Sequence, residues 1–88
     1  MSYEVIFASS AVRDLERTPP RIVSAVVEFV YGDLARNPQG VGNRLEHELA
    51  GTYSARRGPC RILYEIYDDE VCIVVIRVDH RADAFRLR

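Results

Sequence analysis

The sequence contains no lysine, so all 12 of its basic residues are arginines. Every cation is therefore a planar guanidinium that stays charged and is unable to serve as a base. Such groups suit phosphate, to which they donate paired hydrogen bonds. A GC-rich genome would produce the same composition through its codons, so the lack of lysine does not by itself identify a ligand.

Long apolar runs and cysteine motifs are lacking too. No apolar stretch approaches the roughly 18 residues that a membrane-spanning helix needs. The opening segment MSYEVIFASS lacks the basic flank and apolar core of a signal peptide, and we expect a cytoplasmic protein. The two cysteines, Cys60 and Cys72, have neither metal-ligand nor CxxC spacing. We expect both to be reduced and partly buried.

The charge of the chain is small overall and uneven along its length. With 88 residues and a net charge of −1, the sequence predicts one domain over residues 1–88 and does not favour general binding to nucleic acids. The stretch YSARRGPCR, residues 53–61, nevertheless holds three arginines and no acidic residue. Arg56, Arg57 and Arg61 therefore either meet a phosphate or form a solvated strand edge.

The first half of the chain predicts one strand and two helices. Tyr3 to Phe7 is rich in β-branched and aromatic residues and reads as a strand. Ser9 or Ser10 can cap a helix that runs to about Arg17. We expect its inner side to carry Ala11, Leu15 and Val12.

The second helix has the clearest pattern in the sequence. Thr18 can cap it, and Pro19-Pro20 suit its first turn. Apolar residues then recur at intervals of three and four up to about Arg36, which predicts a long amphipathic helix. They are Ile22, Val26, Phe29, Val30 and Leu34. Residues 39–51 show no clear element.

The second half predicts three strands, namely Thr52 to Arg57, Cys60 to Tyr67 and Glu70 to Val78. Gly58-Pro59 and Asp68-Asp69 would form the two links. The tail from Ala82 to Arg88 reads as a short helix or an arm. The order β-α-α-β-β-β predicts an α+β fold, with two helices packed on one face of a small antiparallel sheet.

The register of the last two strands depends on the Asp68-Asp69 link. In a two-residue loop Tyr67 pairs with Glu70, and Arg61 lies opposite Ile76. The apolar face that packs under the helices then carries Cys60, Ile62, Tyr64 and Ile66 with Val71, Ile73 and Val75. Cys60 and Cys72 lie roughly 17 Å apart in this register, which excludes a disulfide.

The same register predicts a patch of charged groups at one end of the sheet. The last strand delivers Asp79-His80-Arg81 close to the start of the strand that begins with Cys60-Arg61. We therefore expect the side chains of Arg56, Arg61, His80 and Arg81 to converge. The alternative for Arg61 and Arg81 is structural pairing with Glu65 or Asp79.

A series of short motifs stands between Leu45 and Phe85. They are Leu49-Ala50-Gly51, Tyr53-Ser54-Ala55-Arg56, Gly58, Cys60-Arg61-Ile62-Leu63-Tyr64, Val78-Asp79-His80-Arg81 and a terminal aromatic residue. With these motifs the chain resembles the RelE/ParE toxin superfamily. Members are toxins of bacterial toxin–antitoxin modules. RelE-type toxins cut messenger RNA in the ribosomal A site, whereas ParE-type toxins inhibit DNA gyrase. An antitoxin wraps the toxin, and the pair represses its own operon.

For a RelE-type toxin the resemblance implies attack by a ribose 2′-OH on the adjacent phosphate, without a metal or cofactor. It assigns phosphate binding to Arg61 and Arg81 and adds Arg56 as a basic residue on the preceding strand. Further substrate contacts are expected from Arg57, Ser54 and Phe85, although Arg57 alternates to the opposite face of a regular strand. His80 titrates near neutral pH and is the candidate general acid or base.

Two other functions stay open at this point. RelE-type toxins carry lysines where this chain has Ser54 and Arg56, and they often end with a tyrosine where it has Phe85. These departures and the acidic balance favour the ParE-like alternative, a gyrase inhibitor that cuts nothing. The third hypothesis is a decayed toxin that acts only as an antitoxin partner and co-repressor. The resemblance implies a RelB-like antitoxin, the ribosome and messenger RNA as partners, with operator DNA bound only by the complex.

Overall fold

The helices of the protein follow β1 in the first half of the chain and most of the strands lie in the second half, as in an α+β fold. The computed structural model describes residues 2–46 and 51–80. The elements are β1 (Glu4–Phe7), α1 (Ser9–Glu16), α2 (Pro20–Phe29), a π-helical turn (Val30–Leu34), α3 (Pro38–Val41), β2 (Asn43–Arg44), β3 (Tyr53–Arg57), β4 (Cys60–Tyr67), a 3-10 turn (Asp68–Glu70) and β5 (Cys72–His80). The expected C-terminal helix or arm lies outside the described residues. None of the described helices has the length and apolar character of a membrane span.

The five strands form one sheet in the order β1-β5-β4-β3-β2. Three neighbouring pairs are antiparallel, but β1 runs parallel to β5. The predicted α+β class is confirmed, while the sheet is mixed rather than antiparallel and gains the short strand β2. Parallel neighbours need a long connection, and the helices together with strands β2 to β4 lie between β1 and β5 along the chain.

The core lies between the helices and one face of the sheet, as the sequence predicts. The stripe of α2 and the π-helical turn is confirmed, with Val26, Val30 and Leu34 fully buried. Ile62, Tyr64, Ile73 and Val75 are equally buried on the facing strands. Two predicted inward residues are exposed instead, Val12 on α1 and Val71 in the loop before β5.

The register between β4 and β5 differs from the predicted one in two places. Tyr67 pairs with Cys72, so the loop has four residues, Asp68 to Val71, instead of two. A β-bulge then follows, because Tyr64 pairs with Val75 while Leu63 pairs with Arg77. The longer loop shifts the register by two residues, so every side chain keeps its predicted face. The bulge adds one more residue to β5, so the side chains of β5 beyond it lie on the opposite face from the predicted one.

The outer half of β5 is held by helix α1. Strand β1 pairs with β5 only as far as Val75. Beyond that point Ser10 Oγ donates a hydrogen bond of 2.6 Å to the carbonyl oxygen of Ile76, the residue that the bulge leaves without a partner. Asp14 Oδ2 accepts a hydrogen bond of 2.9 Å from the backbone N–H of Val78. Side chains of α1 therefore replace a strand along this edge.

Two helix caps differ from the predicted ones because of these and similar contacts. The N-cap of α1 is Ala8, without a side-chain cap, because Ser10 is engaged with β5. Thr18 Oγ1 donates to the carbonyl oxygen of Asp14 at 2.8 Å, and Pro19 is the N-cap of α2. Both hydroxyls satisfy backbone carbonyls instead of helix N–H groups.

The carboxyl of Asp14 is the centre of a small charged network. It is 8% exposed and accepts hydrogen bonds from Arg77 Nε at 2.8 Å and Arg77 Nη2 at 3.2 Å. Burial by itself would raise the pKa of Asp14. The hydrogen bonds from Arg77 and the Val78 N–H, with the charges of Arg77 and Arg17, outweigh burial and hold this pKa below its ordinary value.

We expect Asp14→Asn to destabilise the fold by roughly 2–3 kcal/mol at neutral pH, because it removes the charge that Arg77 and the Val78 N–H bind. The folded pKa of Asp14 is lowered, so its contribution is complete above the unfolded pKa and is lost as the pH falls through the folded value. Urea unfolding at a series of acidic and neutral pH values measures both effects.

Asp33→Asn is the matched control, because Asp33 forms an exposed ion pair with Arg36 on the helical side. This control should retain the acid dependence of the parent. Equal loss of stability on acidification in the parent and in Asp14→Asn would contradict the role given to Asp14.

Candidate anion-binding site

The hairpin of β3 and β4 fixes the position of the two central arginines. Gly58-Pro59 forms a two-residue loop, with Arg57 paired to Cys60. Gly58 has a φ of +57°, a left-handed conformation that glycine adopts without steric cost. The tight loop sets the register, which places Arg56 directly opposite Arg61.

The open face of the sheet carries these two arginines and one aspartate in a row across three strands. Arg56 on β3 pairs with Arg61 on β4, and Arg61 pairs with Asp79 on β5. The neighbouring row consists of Ser54, Leu63 and Arg77. Directly opposed residues share a face, so Arg56, Arg61, Arg77 and Asp79 form one cluster, which we call the arginine patch.

The patch is positive and only partly neutralised. Arg61 Nη2 lies 3.6 Å from Asp79 Oδ2, and Arg77 Nη2 lies 3.7 Å from Asp79 Oδ1. Both distances exceed those of a good hydrogen bond. Arg77 binds Asp14 more closely, and this contact raises the pKa of Arg77. The patch and the adjacent Asp14 together hold three guanidinium groups and two carboxylates. One net positive charge therefore stays around Arg56 and Arg61.

The juxtaposition of Arg56 and Arg61 is unfavourable for the fold by itself. Like charges directly opposite each other in a sheet cost about 0.2–1 kcal/mol. Both side chains are exposed, which lowers the cost through solvent screening. An anion bound between the two guanidinium groups would convert this repulsion into attraction, since each can donate two hydrogen bonds.

His80 lies in a different row from the one the sequence predicts. It pairs with Cys60, which pairs in turn with Arg57, and this row belongs to the helix-covered face. The bulge is the physical reason, because its extra residue exchanges the faces of Asp79 and His80. The expected convergence of His80 with Arg56 and Arg61 is therefore not observed. Arg81 and Phe85 lie outside the described residues.

Arg57 faces a shallow cleft on the helical side of the molecule. The cleft has a volume of about 250 Å³ and is lined by Glu28, Phe29, Gly32, Asp33, Arg36 and Arg57. Its two carboxylates balance its two guanidinium groups, so the cleft has no net positive charge to attract a phosphate group. The predicted contact of Arg57 with substrate therefore finds no support in its surroundings, whereas Ser54 does lie on the open face with the arginine patch.

Tyr64, the last residue of the Cys60-to-Tyr64 segment, has a structural role beneath the site. It lies three residues after Arg61 and so points to the opposite, buried face of β4. Its hydroxyl donates a hydrogen bond of 2.7 Å to the carbonyl oxygen of Pro38, and its ring stacks on Tyr53 at 5.6 Å. Burial raises the pKa of Tyr64 to about 12. Tyr64 therefore anchors α3 beneath the site and stays protonated.

Sequence reasoning missed Asp14 and Arg77 as partners at the site. A weak signal for Asp14 was available, because it falls between Ala11 and Leu15 on the inner side of the predicted helix. A buried carboxylate requires a cation. The alternative that Arg61 pairs with Asp79 is present in the structure, although the contact is a loose one.

Among residues 2–46 and 51–80 no three His, Cys, Asp or Glu side chains are grouped closely enough to hold a metal ion. Both cysteine thiols are unpaired and buried. Burial raises the pKa of each thiol. Neither cysteine is thereby suited to nucleophilic chemistry.

Comparison with known proteins identifies the family. The family model described as the ParE toxin of the type II toxin–antitoxin system parDE matches residues 5–85. Toxin RelG from Mycobacterium tuberculosis is 57% identical over 86 residues, which cover 98% of this chain and 99% of RelG. Toxin RelE from the same organism is 40% identical over 85 residues, which cover 97% of this chain and 88% of that toxin.

The solved structures agree. A chain of the toxin–antitoxin complex RelBE2 from M. tuberculosis superposes with a TM-score of 0.90 at 57% identity, covering 94% of this chain and 95% of its own. Isolated RelE from E. coli shares the fold, with a TM-score of 0.74 at 14% identity and 98% of each chain covered. The protein therefore belongs to the RelE/ParE superfamily of toxins from type II toxin–antitoxin modules.

Proposed function

We propose that this toxin is a ribosome-dependent endoribonuclease that cleaves messenger RNA. The observation that carries the proposal is the pairing of Arg56 with Arg61 on the open face of the sheet. A sheet gains nothing from two opposed cations, but a phosphodiester between them gains two forked donors. The net positive charge of the arginine patch favours the same ligand.

In the proposed reaction the 2′ oxygen of one ribose attacks its own 3′ phosphate, and the 5′ oxygen of the next nucleotide leaves. The products are a 2′,3′-cyclic phosphate and a 5′-OH end. Negative charge grows on the phosphate oxygens in the transition state, where preorganised guanidinium groups stabilise it most. Arg56 and Arg61 serve this role, joined by Arg81 as the resemblance implies. The mechanism draws on no metal or cofactor.

Two protons move in this reaction, one from the 2′-OH and one to the leaving 5′ oxygen. His80 is the imidazole near this end of the sheet, and imidazole is the side chain that most often transfers protons in enzymes. Its row lies on the other face, however, so we expect a smaller contribution from His80 than from Arg61. Positioning of the RNA by the ribosome would supply much of the remaining acceleration.

We further propose that the chain binds a RelB-like antitoxin in the cytoplasm, and that operator DNA is bound only by their complex. The M. tuberculosis relative with a TM-score of 0.90 was solved as a toxin–antitoxin complex. The open face offers an apolar surface beside the arginine patch, where Ile6 is 49% exposed and pairs with the partly buried Val74. An antitoxin segment laid there would cover both the apolar surface and the arginines.

Arg61→Ala and Arg56→Ala should each lower cleavage of translated messenger RNA, Arg61→Ala by about 100-fold or more, because a donor to the transition state is lost. Primer extension on ribosome-bound message, which detects new 5′ ends inside the reading frame, measures the rate. Arg13→Ala is the matched control, since Arg13 is exposed on α1 and belongs to none of the strands that carry the patch. Cleavage by Arg61→Ala at the parent rate would refute the proposed site.

His80→Gln should reduce cleavage by less than tenfold, below the roughly 100-fold that an essential general acid or base contributes. The reason is the separation of its row from Arg56 and Arg61. The same primer-extension assay, repeated across neutral pH, gives the rate and its pH profile. A loss as large as that of Arg61→Ala, together with a flattened pH profile, would make His80 the proton-transfer residue.

The ParE-like function remains the second candidate, because the matching family model is that of a ParE toxin. Expression of the chain without an antitoxin distinguishes the possibilities. Growth arrest with cleaved message supports the nuclease. Growth arrest with intact message and loss of supercoiling by purified gyrase would identify a gyrase inhibitor, and normal growth would identify a decayed toxin.

A further inference from the structure

Asp79 is the carboxylate that faces the candidate phosphate site. Its Oδ2 atom lies 3.6 Å from Arg61 Nη2, and its side chain is 18% exposed against 54% for Arg61. The register places it directly opposite Arg61 in the row that continues to Arg56. An anion approaching the two arginines therefore meets a negative charge already in position.

Asp79 lies between two arginines at nearly equal distances, but Arg77 is also bound to a second carboxylate. Arg77 gives its Nε and Nη2 hydrogens to Asp14, at 2.8 and 3.2 Å, and approaches Asp79 only to 3.7 Å. Its charge is thus matched mainly by the buried Asp14. Arg61 has no such second carboxylate among its ion pairs in the described residues, so Asp79 is the negative charge that acts on it at short range.

The contact between Asp79 and Arg61 is also easily exchanged. At 3.6 Å it is an ion pair longer than a good hydrogen bond, so it leaves the forked donors of Arg61 available. A phosphate accepts two such donors at shorter distance. Binding of phosphate at Arg61 would therefore displace or repel the carboxylate, and the affinity for RNA is reduced accordingly.

We propose that Asp79 is a resident counter-ion that competes with the RNA phosphate for Arg61 and so limits binding of RNA that is not held in place. The inference rests on the proposed function, in which Arg61 binds the scissile phosphate. RNA fixed beside the site has a high effective concentration and overcomes the competition. Free single-stranded RNA does not. Asp79 is thereby a specificity-determining residue for presented RNA over free RNA.

The test is the affinity of Asp79→Asn for a short single-stranded RNA with 2′-O-methyl riboses, which cannot be cleaved. Asparagine keeps the shape of aspartate and removes its charge. Fluorescence anisotropy should show binding about 3- to 10-fold tighter than that of the parent. Unchanged or weaker binding would overturn the proposal. Asp79→Ser provides the same measurement if Asp79→Asn does not unfold as cooperatively as the parent.

Asp69→Asn is the matched control, because it makes the same change in net charge on an exposed turn at the other end of β5. Its effect should stay below about twofold and vanish as salt screens distant charges, whereas a contact effect at Arg61 persists. Equal gains for Asp69→Asn and Asp79→Asn would reduce the role of Asp79 to net charge and overturn the proposal.

Arg61→Ala separates this inference from the function on which it rests. The gain from Asp79→Asn should disappear in the double variant with Arg61→Ala, as a double-mutant cycle requires for a direct interaction. If Arg61→Ala binds the RNA and cleaves message as the parent does, the proposed function fails. If Arg61→Ala is impaired but Asp79→Asn binds no more tightly, the inference about Asp79 alone fails.

Discussion

The bond between Asp14 and the outer half of β5 determines which side chains meet Arg61. Strand β1 stops pairing with β5 at Val75, so the rest of β5 would present an open edge. The buried Asp14 carboxylate closes that edge through the Val78 N–H and the Arg77 guanidinium. Its network of charged hydrogen bonds keeps the register that the bulge has set. Helix α1 thus acts on the candidate site through the strand that it holds.

The charges of the open face follow from that register. Without the extra residue of the bulge, Val78 would lie opposite Arg61, and Asp79 would point toward the helices. With the bulge, Arg61 has one arginine and one aspartate as cross-strand neighbours, Arg56 and Asp79. In the proposed function the pair of arginines attracts a phosphate and the aspartate moderates that attraction. An affinity balanced in this way would suit the proposed action on RNA that is held in place.

Strong local patterns made much of the fold predictable. The stripe of α2 and the tight Gly58-Pro59 loop fixed the helix-covered face and the pairing of Arg56 with Arg61. The length of the loop after Tyr67 and the bulge at Ile76 were not predictable, because Asp68-Asp69 marks a turn without fixing its length and no glycine marks the bulge. Each depends on tertiary contacts, such as the bond from Ser10 to the Ile76 carbonyl. The misplacement of His80 and the parallel pairing of β1 have the same non-local origin.

The central claim is that Arg56 and Arg61 together bind one phosphate group on the open face. Its most direct test is an NMR titration of the toxin with a dinucleotide that carries a 2′-O-methyl group and resists cleavage. The guanidinium Nε–H signals of Arg56 and Arg61 should shift together along one saturation curve. The corresponding signals of Arg57 and Arg36, in the cleft on the opposite side, should not move. Shifts confined to Arg57 and Arg36, or saturation of Arg61 without Arg56, would contradict the account.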